Sequence, residues 1–304
     1  MPPLLQAFCI IFIAGALLRS FGLLDRSHAE RLAAVVFSVS LPATILVSLD
    51  RVSFSPTAWR LPLAACLITL SMLGGSWLLA RLLRLPRPSR GGFILATSCI
   101  NSVYFAFPVT LGLFGDEGLA RAVLFDLGQT ALTLTVLYAV AVWHGAQTST
   151  PRLVAGRFLS SPPLWALAAI LMVKLFGLHL PDGVRAILLP FHLTTTPMAS
   201  LVLGLSISLA AVRRTARMAV LGVALRMGGG LLLGCVASLV LALTGLERAV
   251  VLLVAGMPSA VTAVIFAAET KLDDDLVASI VALSICLGVA LLPWLPALAA
   301  RLLA

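Results

Sequence analysis

Ser98, Asn101, Tyr104 and Pro108 follow one another at helical spacing inside a long apolar run. On a helix, Asn101 and Pro108 stand about two turns apart on one face, with Ser98 one turn before Asn101. Proline has no N–H and frees a carbonyl about one turn earlier, here near Tyr104. In lipid, such a freed group must be satisfied by protein or water. A polar amide beside a backbone break therefore suits a hydrated binding site. The alternative for Asn101 is a plain interhelical hydrogen bond.

A second stretch, Gly256-Met257-Pro258-Ser259-Ala260-Val261-Thr262, flanks a proline with small and hydroxylated residues. Ser259 and Thr262, together with freed N–H groups, have the donors that a carboxylate needs. A half-helix starting after Pro258 would turn its positive end toward the centre. If Pro108 does the same, two partial positive charges converge and favour an anion without any buried Lys or Arg. Close packing of small residues explains Ser259 and Thr262 equally well when each is taken singly. Asp126, Arg226 and His192 are the candidates for coupling or gating, because ionisable groups inside spans are functional by default. Asp126 is near enough to an interface to be merely solvated. Arg226 either snorkels or pairs with a carboxylate. His192, beside Thr194, Thr195, Thr196 and Pro197, lines a path, carries a proton or simply packs.

The elements that must hold these groups are membrane spans. The 304 residues are 61% hydrophobic and 11% charged, against roughly 25% charged in soluble domains. Lipid is the solvent that fits such a chain, and spans of about 20 residues allow about ten of them. The expected fold is all-α. Polar loops fall at 25–31, 84–90, 115–118 and 144–161, and an acidic turn runs from Glu269 to Asp275. No Lys or Arg precedes the apolar run Leu4–Leu18, so it reads as the first span and not as a cleaved signal. The net charge of +9 is spread singly between apolar runs, the pattern of loop anchors, and nucleic acid is not an expected partner. Cys9, Cys66, Cys99, Cys235 and Cys286 show no ligand spacing. No phosphate loop and no zinc motif occurs, so no cofactor, no metal and no enzyme activity are expected. Asp273-Asp274-Asp275 is the one enzyme-like feature, a cation site for lipid diphosphates in that less favoured reading.

Pro42 in the second span and Pro197 in the seventh occupy matching places, as do Pro108 in the fourth and Pro258 in the ninth. Residues 1–146 and 162–304 therefore read as two five-helix repeats joined by a linker at 147–161. An odd number of spans per repeat inverts the second copy, a recurrent transporter plan with the site at the midplane. Prolines are common in membrane helices and also align by chance. Lys and Arg favour the loops after odd-numbered spans, which predicts both termini outside.

Asn101-Ser102-Val103-Tyr104-Phe105-Ala106-Phe107-Pro108, followed by Leu113-Phe114-Gly115-Asp116-Glu117-Gly118, resembles the bacterial auxin efflux carrier family. Gly15-Ala16-Leu17-Leu18-Arg19 with Gly22, and Leu41-Pro42-Ala43, extend the resemblance along the chain. The resemblance implies inverted five-helix repeats with broken, crossing helices four and nine. It implies a secondary transporter of small organic anions such as malate, malonate or auxin-like acids, working by alternating access in a bacterial inner membrane. By the same likeness Asn101 is the family's helix-four asparagine, and Pro108 and Pro258 are its crossover prolines. Ala106 departs from the family, which often has glycine there. The expected partners are a small carboxylate and membrane lipid, with a homodimer left open. A sodium- or proton-coupled carrier of related fold is the nearest alternative.

Overall fold

The computed structural model describes residues 1–50, 52, 57–145, 160–207 and 209–303. The linker expected at 147–161 lies, as far as residue 159, outside the described residues. The regular structure is helical. In chain order the α-helices are α1 (Pro3–Ser20), α2 (Arg26–Val35), α3 (Leu41–Asp50), α4 (Arg60–Leu82), α5 (Arg87–Ser98), α6 (Phe107–Leu132) and α7 (Tyr138–His144). They continue with α8 (Pro162–Leu175), α9 (Asp182–Ser206), α10 (Leu209–Val223), α11 (Gly230–Val240), α12 (Gly245–Ala255), α13 (Val261–Thr270), α14 (Asp274–Leu291) and α15 (Leu295–Leu303). Seven helical stretches among the described residues are long and apolar enough to cross a membrane, and Pro162–Leu175 and Val261–Thr270 are shorter apolar helices.

The ends of these helices follow from charge and capping. Arg19, Arg81 and Lys174 sit in the last turns of α1, α4 and α8, where a cation complements the negative helix end. Asp25 caps α2 and accepts from the Ser27 hydroxyl at 2.8 Å and the His28 N–H at 3.1 Å. Those hydrogen bonds, from the side chains of Ser27 and His28 and then the His28 backbone, hold its carboxyl well below the usual carboxylate range. Gly115 adopts φ 65° within α6, a left-handed conformation that suits glycine. It makes the turn at the start of the acidic Gly115–Gly118 segment.

Four π-helical turns occur among the described residues, at Val36–Ser40, Ser102–Ala106, Thr133–Leu137 and Ala224–Gly229. Two of them precede a proline at the same offset, Pro42 after Ser40 and Pro108 after Ala106. In an α-helix the proline ring meets the carbonyl four residues back. A wider π turn moves that carbonyl away, so the helix absorbs the proline. α6 accordingly runs straight through Pro108, where the sequence predicts an interruption, and the non-helical residues lie upstream at 99–101.

The chain divides into two compact units. The first takes the described residues of 1–58, 103–123 and 157–207: α1, α2, α3, the beginning of α6, α8 and α9. Polar ties stitch it from within. The Thr44 and Thr195 hydroxyls meet at 2.7 Å, and Thr195 also donates to the Ser40 carbonyl at 3.0 Å. Asp50, 3% exposed, accepts from the Leu180 N–H at 2.8 Å and from Arg185 at 3.3 Å. Lys174 donates to the Val52 carbonyl at 2.6 Å.

The second unit takes the described residues of 59–102, 124–156 and 208–304: α4, α5, the rest of α6, α7 and α10 to α15. Its interior also uses hydroxyls. Thr97 donates to Ser76 at 2.7 Å and Thr215 to Ser279 at 2.8 Å. Apolar contact gives little net drive between helices in lipid, so such bonds and close packing do the joining.

Candidate functional site

The second unit contains two non-helical stretches that pair with each other. After α5 ends at Ser98, Cys99 turns extended with ψ 121°. After α12 ends at Ala255, the chain stays non-helical to Ala260 and then enters α13. The Asn101 N–H donates to the Pro258 carbonyl at 2.9 Å, and the Ala260 N–H donates to the Cys99 carbonyl at 3.1 Å. Ile100 and Ser259 face each other across this isolated antiparallel bridge. Backbone groups that left their helices thus satisfy one another, as a low-dielectric interior requires.

Side chains complete the junction. The Asn101 Nδ2 donates to the Ser259 carbonyl at 3.3 Å, and Asn101 is 2% exposed. The Ser259 N–H donates to the Ser284 hydroxyl at 3.0 Å, while the Ser259 hydroxyl donates to the Ala96 carbonyl. Ser98 is fully buried, and its hydroxyl has no partner among the described residues. Its carbonyl accepts from Gln129 at 3.4 Å; Gln129 also bonds Thr69 and Thr133.

Arg226 sits in the Ala224–Gly229 π turn and is wholly buried. Its guanidinium donates through Nη1 to the Thr97 carbonyl at 3.0 Å and through Nη2 to the Ala255 carbonyl at 2.7 Å. Those carbonyls belong to the last turns of α5 and α12. Each helix end carries about half a negative charge, so one arginine offsets both. The arginine is buried and, among the described residues, pairs with no carboxylate; two helix ends are its counter-charge. Gly230 makes this approach feasible, since an added Cβ would stand 2.2 Å from the Ala255 carbonyl oxygen and 2.3 Å from Arg226 Nη2.

The remaining expected residues fall elsewhere. Because residues 99–101 are extended, Ser98, Asn101 and Pro108 do not share one helical face. Thr262 is half-buried in the first turn of α13, which begins without a side-chain cap. Asp126, in the part of α6 within the second unit, accepts from Thr130 at 3.0 Å. Tyr104 and His192 belong to the first unit. The Tyr104 hydroxyl donates to the Ala33 carbonyl at 3.3 Å. His192 is 9% exposed, and its Nδ1 has no partner among the described residues. In the acidic turn, Asp273 caps α14 and accepts from Ser89 at 2.6 Å, and Asp275 lies 3.7 Å from Arg214.

Sequence reasoning did not find Gln129, Ser284 or Thr97. Each is a common polar residue in an apolar run, and only the fold brings it to the junction.

The family model described as "Membrane transport protein" matches residues 1–157. An uncharacterized transporter of Methanothermobacter thermautotrophicus is 32% identical over 287 residues, 93% of each chain. An uncharacterized transporter of Methanocaldococcus jannaschii is 27% identical over 277 residues, 89% of each chain. With its apolar helices and a matching family model that covers more than half its length, the chain belongs to the membrane transport protein (auxin efflux carrier) family: it is a multi-pass membrane transporter and not an enzyme.

Proposed function

We propose that this protein is a secondary transporter of small organic anions, carboxylates of the malate, malonate or auxin type, working by alternating access. The observation that carries the reading is the backbone pairing of the 99–101 and 256–260 stretches, to which Asn101 adds its N–H and its side-chain amide. In this reading, spans four and nine of ten are broken and cross, and residues 1–146 and 162–304 are inverted repeats. The similar placement of the two non-helical stretches within the halves supports that plan.

Asn101 offers its amide to the carboxylate. The uncapped first turn of α13, with Thr262 and the buried Ser259 beside it, adds N–H donors and a positive helix end. Ser98 contributes its unpartnered hydroxyl. Arg226 offsets the negative helix ends, so the positive ends are left to act on the anion. Tyr104, in the π turn that follows Asn101, and Pro108, at the start of α6, shape the chain that leads away from the site. Asp126 and His192 are the groups whose protonation would couple flux to a proton, and dependence on sodium would point to the related ion-coupled mode instead. The membrane potential supplies about 2.3 kcal/mol per charge per 100 mV, which is enough to drive export of an anion from a negative interior. Both termini outside and a homodimeric assembly complete the proposal.

The test is flux of labelled malate and malonate in proteoliposomes. Asn101→Ala is expected to lose most of the flux while the protein still unfolds at nearly the wild-type temperature. Unchanged flux in that variant would remove Asn101 from the site.

A further inference from the structure

An apolar cavity lies in the same unit, apart from the paired stretches. Leu73, Gly74 and Trp77 recur at helical spacing on one face of α4, and Arg81 follows Trp77 one turn later. Val140 and Trp143 do the same on α7. Leu73, Gly74, Trp77, Val140 and Trp143, with Ile94 of α5 and His144 of α7, line a largely apolar cavity of about 280 Å³. Both tryptophans are open to the outside, Trp77 at 40% and Trp143 at 69% exposure.

Two arginines adjoin the tryptophans that line the cavity. The Arg81 guanidinium lies over the Trp77 ring, 5.3 Å from its centroid. Arg87, the first residue of α5, donates to the Trp143 carbonyl. Each arginine is thus fixed to one of the two tryptophans, and among the described residues neither is paired with a carboxylate. Arg84 lies in the turn between α4 and α5, and Arg90 in the first turn of α5. Two acidic groups that follow α13 are engaged otherwise, Asp273 by Ser89 and the Leu276 N–H, and Asp275 by Arg214. Tryptophan marks the headgroup level of a bilayer, and the arginine fork matches phosphate geometry.

We propose that this cavity holds an acyl chain of an anionic phospholipid, whose phosphate is gripped by Arg81 and Arg87. An apolar slot alone would take any acyl chain. The charge of the two arginines selects the headgroup, since a zwitterionic lipid brings its own cation to the same arginines. The site does not depend on which solute is transported.

Gly74 provides a clean probe, because an added Cβ there meets nothing within 4 Å. Gly74→Leu therefore adds a side chain to the cavity wall whose first atom is clear of every neighbour. Purified full-length protein is mixed with equal amounts of phosphatidylglycerol and phosphatidylcholine and the retained lipid is read by native mass spectrometry. The wild type is expected to retain phosphatidylglycerol severalfold over phosphatidylcholine. Gly74→Leu should lower that retention, and Arg81→Gln with Arg87→Gln should abolish the preference, both variants melting as the wild type does. Arg81→Lys with Arg87→Lys should keep most of it. Equal retention of the two lipids by the wild type, or a preference untouched by either variant, overturns the proposal. Displacement of phosphatidylglycerol by soluble glycerol phosphate would also overturn it, assigning the arginines to a free phosphate.

Discussion

Helix α9 contains Pro190 and Pro197 and stays helical from Asp182 to Ser206, whereas the chain around Pro258 leaves the helix after Ala255 and re-enters it at Val261. The stretch Cys99–Asn101 leaves the helix as well, with no proline in it. The three cases together separate two causes. A proline removes one N–H and crowds one carbonyl, and a helix can live with that. Around α9 the hydroxyls of Thr194, Thr195 and Ser200 bond nearby backbone carbonyls. Near Pro42 and Pro108 a π turn widens the helix instead. Helix is abandoned only where other segments supply replacement partners. At the paired stretches those partners are the Asn101 N–H, the Cys99 carbonyl, the Ser284 hydroxyl and the Arg226 guanidinium.

That distinction is most exposed to attack at Arg226. Arg226→Met leaves the Thr97 and Ala255 carbonyls without their donor, at about 1–3 kcal/mol each, with part of that offset because a buried cation no longer has to be desolvated. Thermal unfolding in detergent should fall well below the wild type, and flux should fall with it. Arg226→Lys keeps the charge but cannot span both carbonyls in a fork, so it should recover only part of the loss. A methionine variant as stable as the wild type would mean that the helix ends need no counter-charge.

A smaller effect compares the prolines directly. The bridge uses only the carbonyl of Pro258, which any residue supplies. Pro258→Ala should therefore change stability by no more than Pro197→Ala, about 1 kcal/mol for either. Denaturant titration of the two variants side by side decides it. A large loss confined to position 258 would return the break to the proline itself.

How far the sequence reveals the molecule follows the same line. Apolar run length and polar loops mark the membrane helices, because lipid constrains composition directly. The Gly115–Gly118 turn is legible because two glycines and two acidic residues interrupt an apolar run, and its first residue takes a positive φ in the structure. Asn101, Pro258 and Ser259 are legible as a group, since an amide, a proline and a hydroxyl stand out in hydrocarbon. The non-helical Cys99–Asn101 stretch is not legible, for nothing in those residue types disfavours helix, and its cause lies far along the chain at Pro258 and Ala260. Pro108 misleads for the matching reason, since the π turn that absorbs it is a local adjustment without a residue signature. Arg226 is visible as a buried cation, but backbone carbonyls as its partners are not, because they carry no side-chain identity.

The pairing of the two non-helical stretches can be tested by a crosslink. Ile100 and Ser259 form a non-hydrogen-bonded pair of an antiparallel bridge, where Cα atoms lie about 4.5 Å apart, within the reach of a disulfide. In a background with the native cysteines replaced by serine, Ile100→Cys with Ser259→Cys should oxidise to an intramolecular disulfide under a mild oxidant in the membrane. Mass spectrometry reads the link, and each single variant serves as control. Two thiols that stay reduced and alkylate independently in a folded protein would contradict the pairing on which the proposed site is built.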